Sequence, residues 1–224
     1  MKIYILILAL WFTPVWSAEC KDFRFLETSF TACTAKLPKD DIRFFLYDKT
    51  GKNFGQFQKL GNFLNQQGLD IVFATNGGMY HADRSPVGMY VENFSEFSPL
   101  ITIEGPGNFG LLPNGVFCFN KREFVILETR KFAQAGVHCQ YATQSGPLLV
   151  INGKIHPKFI KGGPSKFIRS GVGVSTDGLE TVFLISNEPV NFHHFASVFL
   201  DHLAINNALY LDGNISRLYS PKLN

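Results

Sequence analysis

The chain has 224 residues, of which 46% are hydrophobic, 14% aromatic and 17% charged. Such fractions exclude a disordered chain, which is charge-rich and poor in rings, and 20 Gly without a Gly-X-Y period exclude a collagen. With 21 Lys and Arg against 18 Asp and Glu, the net charge of +3 is too small to predict nucleic-acid binding, while 23 Phe supply a ring-rich core suited to sheets.

Lys2, an apolar run over residues 3–12, Pro14 and then Val15-Trp16-Ser17 follow the grammar of a secretory signal, with cleavage predicted after Ser17. The run is shorter than the roughly 20 residues of a spanning helix, so no stable membrane span is expected once the signal is removed. Residues 18–224 are expected to form a single domain exported to a periplasmic or extracellular compartment. All four cysteines, Cys20, Cys33, Cys118 and Cys139, lie in that part. An even number in an oxidising compartment predicts two disulfides. Three pairings are open, and the local ones, Cys20 with Cys33 and Cys118 with Cys139, are the natural choice.

Further along, residues 42–47 have strand character and end at the turn Asp48-Lys49-Thr50-Gly51. Phe57, Leu60, Phe63 and Leu64 recur at helical spacing, and Gly68 stops that helix. The continuous apolar run 69–74 reads as a strand buried on both faces. Residues 87–91, 100–103, 116–119 and 124–127 are strand-like, with Asn, Gly and Pro between them. Asn152-Gly153 between 148–151 and 154–155 is a type I′ hairpin signature, and Asp177-Gly178 plays the same part between 171–175 and 181–185. Phe192, Phe195, Ala196, Phe199, Leu200 and Leu203 form one stripe of a helix over 192–203, with Asn191 as its N-cap. A strand over 208–211 ends at Asp212-Gly213. The fold class is therefore α+β: a single domain with a mixed, largely antiparallel sheet, at least two packed helices and two disulfides.

Two signals carry no function. Gly105-Pro106-Gly107-Asn108-Phe109-Gly110 fits G-x-G-x-x-G, but Leu111-Leu112-Pro113 cannot be the helix a dinucleotide needs there. His193 and His194 are adjacent, about 100° apart on a helix, which is poor geometry for shared metal ligation. Neither a metal site nor a cofactor is predicted, and a divalent cation is left open.

Polar residues paired with glycine stand at the ends of strand-like runs: Thr75-Asn76-Gly77-Gly78, Gln144-Ser145-Gly146-Pro147 and Asp212-Gly213-Asn214-Ile215-Ser216, with Arg169-Ser170-Gly171 preceding a strand. Glycine lets the backbone approach a ligand and turn its N–H groups outward. A carboxylate and a guanidinium beside such glycines suit a ligand that is both sugar-like and anionic. The same clusters, taken singly, also read as ordinary turns.

The ordered series Thr75-Asn76-Gly77-Gly78-Met79-Tyr80, Pro86-Val87-Gly88, Gly107-Asn108-Phe109 and Pro113-Asn114-Gly115-Val116-Phe117 resembles the phosphodiester glycosidase family. It continues through Gln144-Ser145-Gly146-Pro147, Ile155-His156-Pro157, Arg169-Ser170-Gly171-Val172-Gly173-Val174 and Ala208-Leu209-Tyr210-Leu211-Asp212-Gly213. The resemblance implies hydrolysis of a glycosyl phosphodiester at its sugar–phosphate bond. Phosphate monoester is a good leaving group, so such an enzyme chiefly stabilises an oxocarbenium-like centre and the departing charge. Under it Asp212 is the nucleophile or the base that activates water, Glu104 the second carboxylate, and Arg169 the phosphate clamp. Asn76, Asn108, Ser145, Gly146, His156 and Ser216, with the backbone at Gly77, Gly78 and Gly213, would bind sugar hydroxyls or phosphate. The substrate is a sugar phosphate on a glycan or a lipid; the alternative is a non-catalytic envelope module that binds anionic glycans or glycolipids.

Overall fold

The computed structural model describes residues 18–103, 105–212 and 216–223, and the predicted signal at 1–17 lies outside them. The described chain opens on a hairpin, β1 (Glu19–Phe25) and β2 (Thr28–Lys36), that the sequence reading did not assign. Helix α1 (Phe57–Asn65) follows, then β3 (Ala74–Thr75), β4 (Tyr90–Glu92), β5 (Ser95–Ser98), β6 (Gly115–Phe119) and β7 (Phe124–Glu128). Helix α2 (Thr129–Ala135) leads to β8 (Tyr141–Ser145), β9 (Leu148–Ile151), β10 (Lys154–Ile155), β11 (Ser170–Val174) and β12 (Glu180–Ser186). The chain closes with α3 (Phe192–Ser197), its π-helical continuation Val198–His202, β13 (Asn207–Asp212) and β14 (Leu218–Tyr219).

These strands form two principal sheets and a ribbon, in the orders β1-β2-β12-β11-β13-β9-β10, β5-β4-β8-β6-β7 and β14-β3. Every pairing among the described strands is antiparallel. Three apolar clusters give four layers. Phe183, Val172, Leu209 and Leu211 of the first sheet meet Phe117, Phe119, Phe124 and Tyr141 of the second. On the far side of the first sheet, Leu149, Val182, Leu184 and Tyr210 pack under Phe195 and Phe199. Beyond the second, Val116, Cys118 and Ala142 pack under Phe132 of α2. Alternation along β13 sends Leu209 and Leu211 one way and Tyr210 the other, as the period of a strand requires. Cys20–Cys33 and Cys118–Cys139 are the disulfides, the first spanning a directly opposed pair on β1 and β2.

Four predicted strands are different in the structure. Of residues 87–91 only Tyr90 and Val91 enter a strand, β4. Residues 42–47 run irregularly: Phe44 inserts its ring among Tyr90, Phe117, Phe119 and Tyr141, and the Leu46 N–H donates to Glu92 Oε2 at 3.0 Å rather than to a neighbouring strand. Of residues 69–74 only Ala74 enters a strand, and Ile101 in the segment 100–103 is held by a side chain. Gln144 Oε1 accepts its N–H at 2.9 Å and Gln144 Nε2 donates to its carbonyl at 2.7 Å. No helix follows Gly105–Gly110, where the chain turns.

Candidate active site

The end of β13 is the centre of the arrangement. Ser170 at the start of β11 pairs with Asp212, but Gly171 pairs with Tyr210, so Leu211 is an extra residue and β13 bulges there. A bulge at a strand end re-aims the side chains beyond it. Ser170 Oγ donates to the Asp212 carbonyl at 3.1 Å, and Ser216 Oγ lies 2.5 Å from the same oxygen and 3.1 Å from Ser170 Oγ. The next residue, Arg217, donates its N–H to Asn76 Oδ1 at 2.9 Å, while Thr75 Oγ1 donates to the Arg217 carbonyl at 3.0 Å. Those two contacts extend the β3–β14 ribbon, where Thr75 pairs with Leu218. Ser170, Asp212 and Ser216 are thus linked by hydrogen bonds, and Asn76 joins them through Arg217, the residue after Ser216, although the four come from three distant parts of the sequence.

Two further predicted residues border this cluster. Ser145 is fully buried and donates from Oγ to the Leu211 carbonyl at 3.1 Å, tying the end of β8 to the bulge. Gly78 lies so close to β8 that a Cβ there would stand 2.5 Å from Thr143 Oγ1, so only glycine permits that approach. Gly77 lies between Asn76 and Gly78 on the same turn, and Gly146 packs against Asn114, where a Cβ would be 2.6 Å from the Asn114 Cβ. Asn108 is exposed on the turn at 105–112. Glu104 and Gly213, with Asn214 and Ile215, lie outside the described residues.

Arg169 and His156 are near in sequence to this cluster but turn inward. Arg169 is 1% exposed; its Nε donates to the Val190 carbonyl at 2.8 Å, and its two terminal nitrogens donate to Tyr210 Oη at 3.3 Å and the Ser165 carbonyl at 3.1 Å. The guanidinium lies 3.6 Å from the centroid of the Phe192 ring, a cation–π contact in a desolvated place. Burial pushes its proton affinity down and Tyr210 partly restores it, yet a guanidinium stays charged in a protein. The Tyr210 hydroxyl is pushed up to about 12, first by burial and also by the nearby Asp212 charge, against the lowering effect of Arg169. His156 is 1% exposed, with Nε2 3.1 Å from the Leu112 carbonyl and Nδ1 accepting from the Lys158 N–H at 3.2 Å. Its ring stacks on Phe159, Phe159 stacks on Phe192, and the column ends at Arg169. Both side chains therefore use their polar atoms on the protein itself.

A cavity of about 220 Å³ opens where β6 begins and β7 ends, lined among others by Thr102, Asn114, Glu128 and Arg130. Gly115, next to Asn114, pairs with Ser145, which links this cavity to the bulge along one row of strand ends. A larger cavity of about 620 Å³, with Arg43, Glu92, Phe119 and Tyr141 in its wall, sits at the other end of the same strands. Neither is lined by Asn76, Arg169 or Asp212. Among the described residues no three His, Cys, Asp or Glu side chains gather as a metal site.

Sequence reasoning gave no site role to Arg217, Tyr210 or Phe192 and named Ser170 only within the Arg169-Ser170-Gly171 cluster. Ser170 and Tyr210 were within reach: one stands in the Arg-Ser-Gly cluster, and the other precedes Asp212 by two residues, hence on its face of a regular strand. Arg217 acts through its main-chain N–H and Phe192 through its ring face, and neither leaves a motif.

Residues 70–220 match the family model of the phosphodiester glycosidases, and the chain belongs to that family. It is similar to YigE, an uncharacterized protein of Escherichia coli K12, with 32% identity over 216 residues, 96% of this chain and 84% of the relative. Its fold is like that of the catalytic domain of zebrafish N-acetylglucosamine-1-phosphodiester alpha-N-acetylglucosaminidase, captured auto-inhibited by its pro-peptide. There the TM-score is 0.54 at 14% identity, covering 94% of this chain and 75% of that one. A hypothetical protein from Synechocystis aligns with a TM-score of 0.49 at 12% identity over 90% of this chain, which spans 57% of the length of that structure.

Proposed function

We propose that the protein is an exported hydrolase that cleaves the sugar–phosphate bond of a glycosyl phosphodiester, with the phosphate carried on a glycan or a lipid. Family membership supports the reaction class. The observation that carries the assignment to this site is the hydrogen-bonded convergence of Ser170 and Ser216 on the Asp212 main chain at the β13 bulge, with Asn76 held beside it by the N–H of Arg217, the residue after Ser216. Two disulfides support export, since such bonds persist in oxidising compartments.

In this mechanism Asp212 attacks the anomeric carbon or activates the water that does, and the sugar–oxygen bond breaks toward the phosphate. Glu104 is the second carboxylate. Asn76 and Ser216 hold sugar hydroxyls, helped by backbone N–H groups at Gly77, Gly78 and Gly213, while Ser145 and Gly146 hold the β8 end in place. Arg130, on the wall of the 220 Å³ cavity, supplies a cation for the phosphate arm. Arg169 favours the departing charge from behind Ser170, through a field that low dielectric strengthens rather than through contact.

Asp212→Asn is expected to reduce hydrolysis of a glycosyl phosphodiester on the order of 10²–10⁴-fold with the circular dichroism of the parent unchanged. Turnover in ¹⁸O-water should place the label on the sugar. Label on the phosphate refutes the bond assignment, full activity in Asp212→Asn removes that residue from the mechanism, and saturable binding without product returns the non-catalytic glycan-binding module.

A further inference from the structure

Between Glu128 and Asp177 the sequence contains no Asp or Glu but seven Lys and Arg, in a chain whose two signs otherwise nearly balance. Part of that excess is gathered on the loop 157–168 between β10 and β11, where Lys158, Lys161 and Lys166 are all exposed. Two large apolar side chains project from the same loop, Ile160 at 72% and Phe167 at 49% exposure. An exposed apolar residue alone is ordinary, and lysines alone make a solvated face. Their combination on one short acid-free segment is the pattern of an interfacial anchor.

The loop is fixed from beneath. Asn191 Nδ2 donates to the Gly163 carbonyl at 3.2 Å, Arg169 donates to the Ser165 carbonyl, Phe167 bridges to Val190, and Phe159 stacks on Phe192 at 4.8 Å. The backbone that carries Ile160 and Phe167 is therefore already ordered before binding, which lowers the cost of presenting them. Among the described residues none of the three lysines forms an ion pair, and Glu188, on the segment leading to Val190, accepts instead from the Ser29 N–H at 3.1 Å.

We propose that the loop 157–168 is an interfacial surface that seats the protein on an anionic lipid bilayer. Ile160 and Phe167 enter the boundary between headgroups and acyl chains, and Lys158, Lys161 and Lys166 meet lipid phosphates. A soluble polyanion would use the lysines and leave both apolar side chains in water, so the chemistry favours the membrane. This surface goes beyond the hydrolase reading and does not depend on it. Because Arg169 ties the loop at Ser165 and directly precedes Ser170, a docked loop also holds the Ser170–Asp212 cluster close to the headgroups.

The test is sedimentation of the purified protein with vesicles of phosphatidylcholine, alone or with phosphatidylglycerol as a third of the lipid. Binding is expected on the anionic vesicles only, weakening with added salt. Lys158→Gln/Lys161→Gln/Lys166→Gln should lower partitioning about 100-fold, at roughly fivefold per lysine. Ile160→Ser/Phe167→Ser should lower it about tenfold or more while retention on heparin stays at the parent level. Equal binding to both vesicle types, or to neither, overturns the proposal. So does an Ile160→Ser/Phe167→Ser protein that binds vesicles like the parent while the lysine variant fails on vesicles and heparin alike; that result makes the loop a site for soluble polyanions. Unchanged thermal unfolding shows that both variants fold, and unchanged hydrolysis of a water-soluble substrate separates this surface from the catalytic assignment.

Discussion

His156 meets the protein on three sides: the Leu112 carbonyl at Nε2, the Lys158 N–H at Nδ1, and the Phe159 ring on its face. Since Nδ1 accepts, the hydrogen-bond pattern assigns the neutral tautomer with its proton on Nε2. Burial pushes the imidazole below its ordinary range, with the Lys158 charge acting in the same direction and the Leu112 carbonyl opposing. A histidine held neutral in the folded state gains its proton only on unfolding, so the unfolded chain binds more protons between the two values. Stability should therefore rise with pH over the window just below the ordinary imidazole value of about 6.5. The urea midpoint is expected to climb over that range, and His156→Gln should flatten the climb. His194, also pushed down by burial, adds in the same sense in both proteins, and Glu92, pushed up by burial, acts oppositely at lower pH. An equal slope in parent and variant would mean that His156 is not kept neutral by the fold.

Among elements, the π-helical continuation of α3 and the turn after it pack closely on β11. A Cβ on Gly173 would stand 2.7 Å from Ile205 Cγ2 and 2.8 Å from Phe199 Cδ1. Gly173→Ala should then cost about 1–3 kcal/mol by overpacking, seen as a lower denaturant midpoint at constant slope. That helix was readable in advance because its stripe and its cap are local: Asn191 Oδ1 accepts from the His194 N–H at 2.8 Å, as the N-cap assignment requires. The hairpin at Asn152-Gly153 was readable for the same reason, with both residues at positive φ, 48° and 74°. Residues 42–47 and 100–103 were not, because the groups that satisfy their backbones are side chains of Glu92 and Gln144, remote in sequence and invisible to any periodicity. At the site the strand ends carrying Asn76, Ser145 and Asp212 could be found from glycine punctuation. The link through the Arg217 N–H could not, since a backbone donor carries no residue signature.

At the scale of the molecule, each sheet is covered by a helix on one face and by the other sheet on its second, so ring contacts such as Phe117 with Phe183 join the halves. No helix among the described residues is long and apolar enough to cross a membrane. The disulfides brace the two sheets separately, closing stretches 13 and 21 residues apart in sequence. Removing either by a Cys→Ala pair should cost about 3 kcal/mol in the loop-entropy model, slightly more for Cys118–Cys139. Calorimetry of each double variant checks this, and a transition temperature equal to the parent's would show that the packing alone sets stability.

The β3–β14 ribbon stands apart from both large sheets, whose strand orders are complete without it. Asn76 nevertheless takes its partner from the Arg217 N–H and Ser170 from the Ser216 hydroxyl, both on the segment that follows β13. That segment acts as a latch: the scaffold can stand with its two sheets intact while the candidate corner is unfastened.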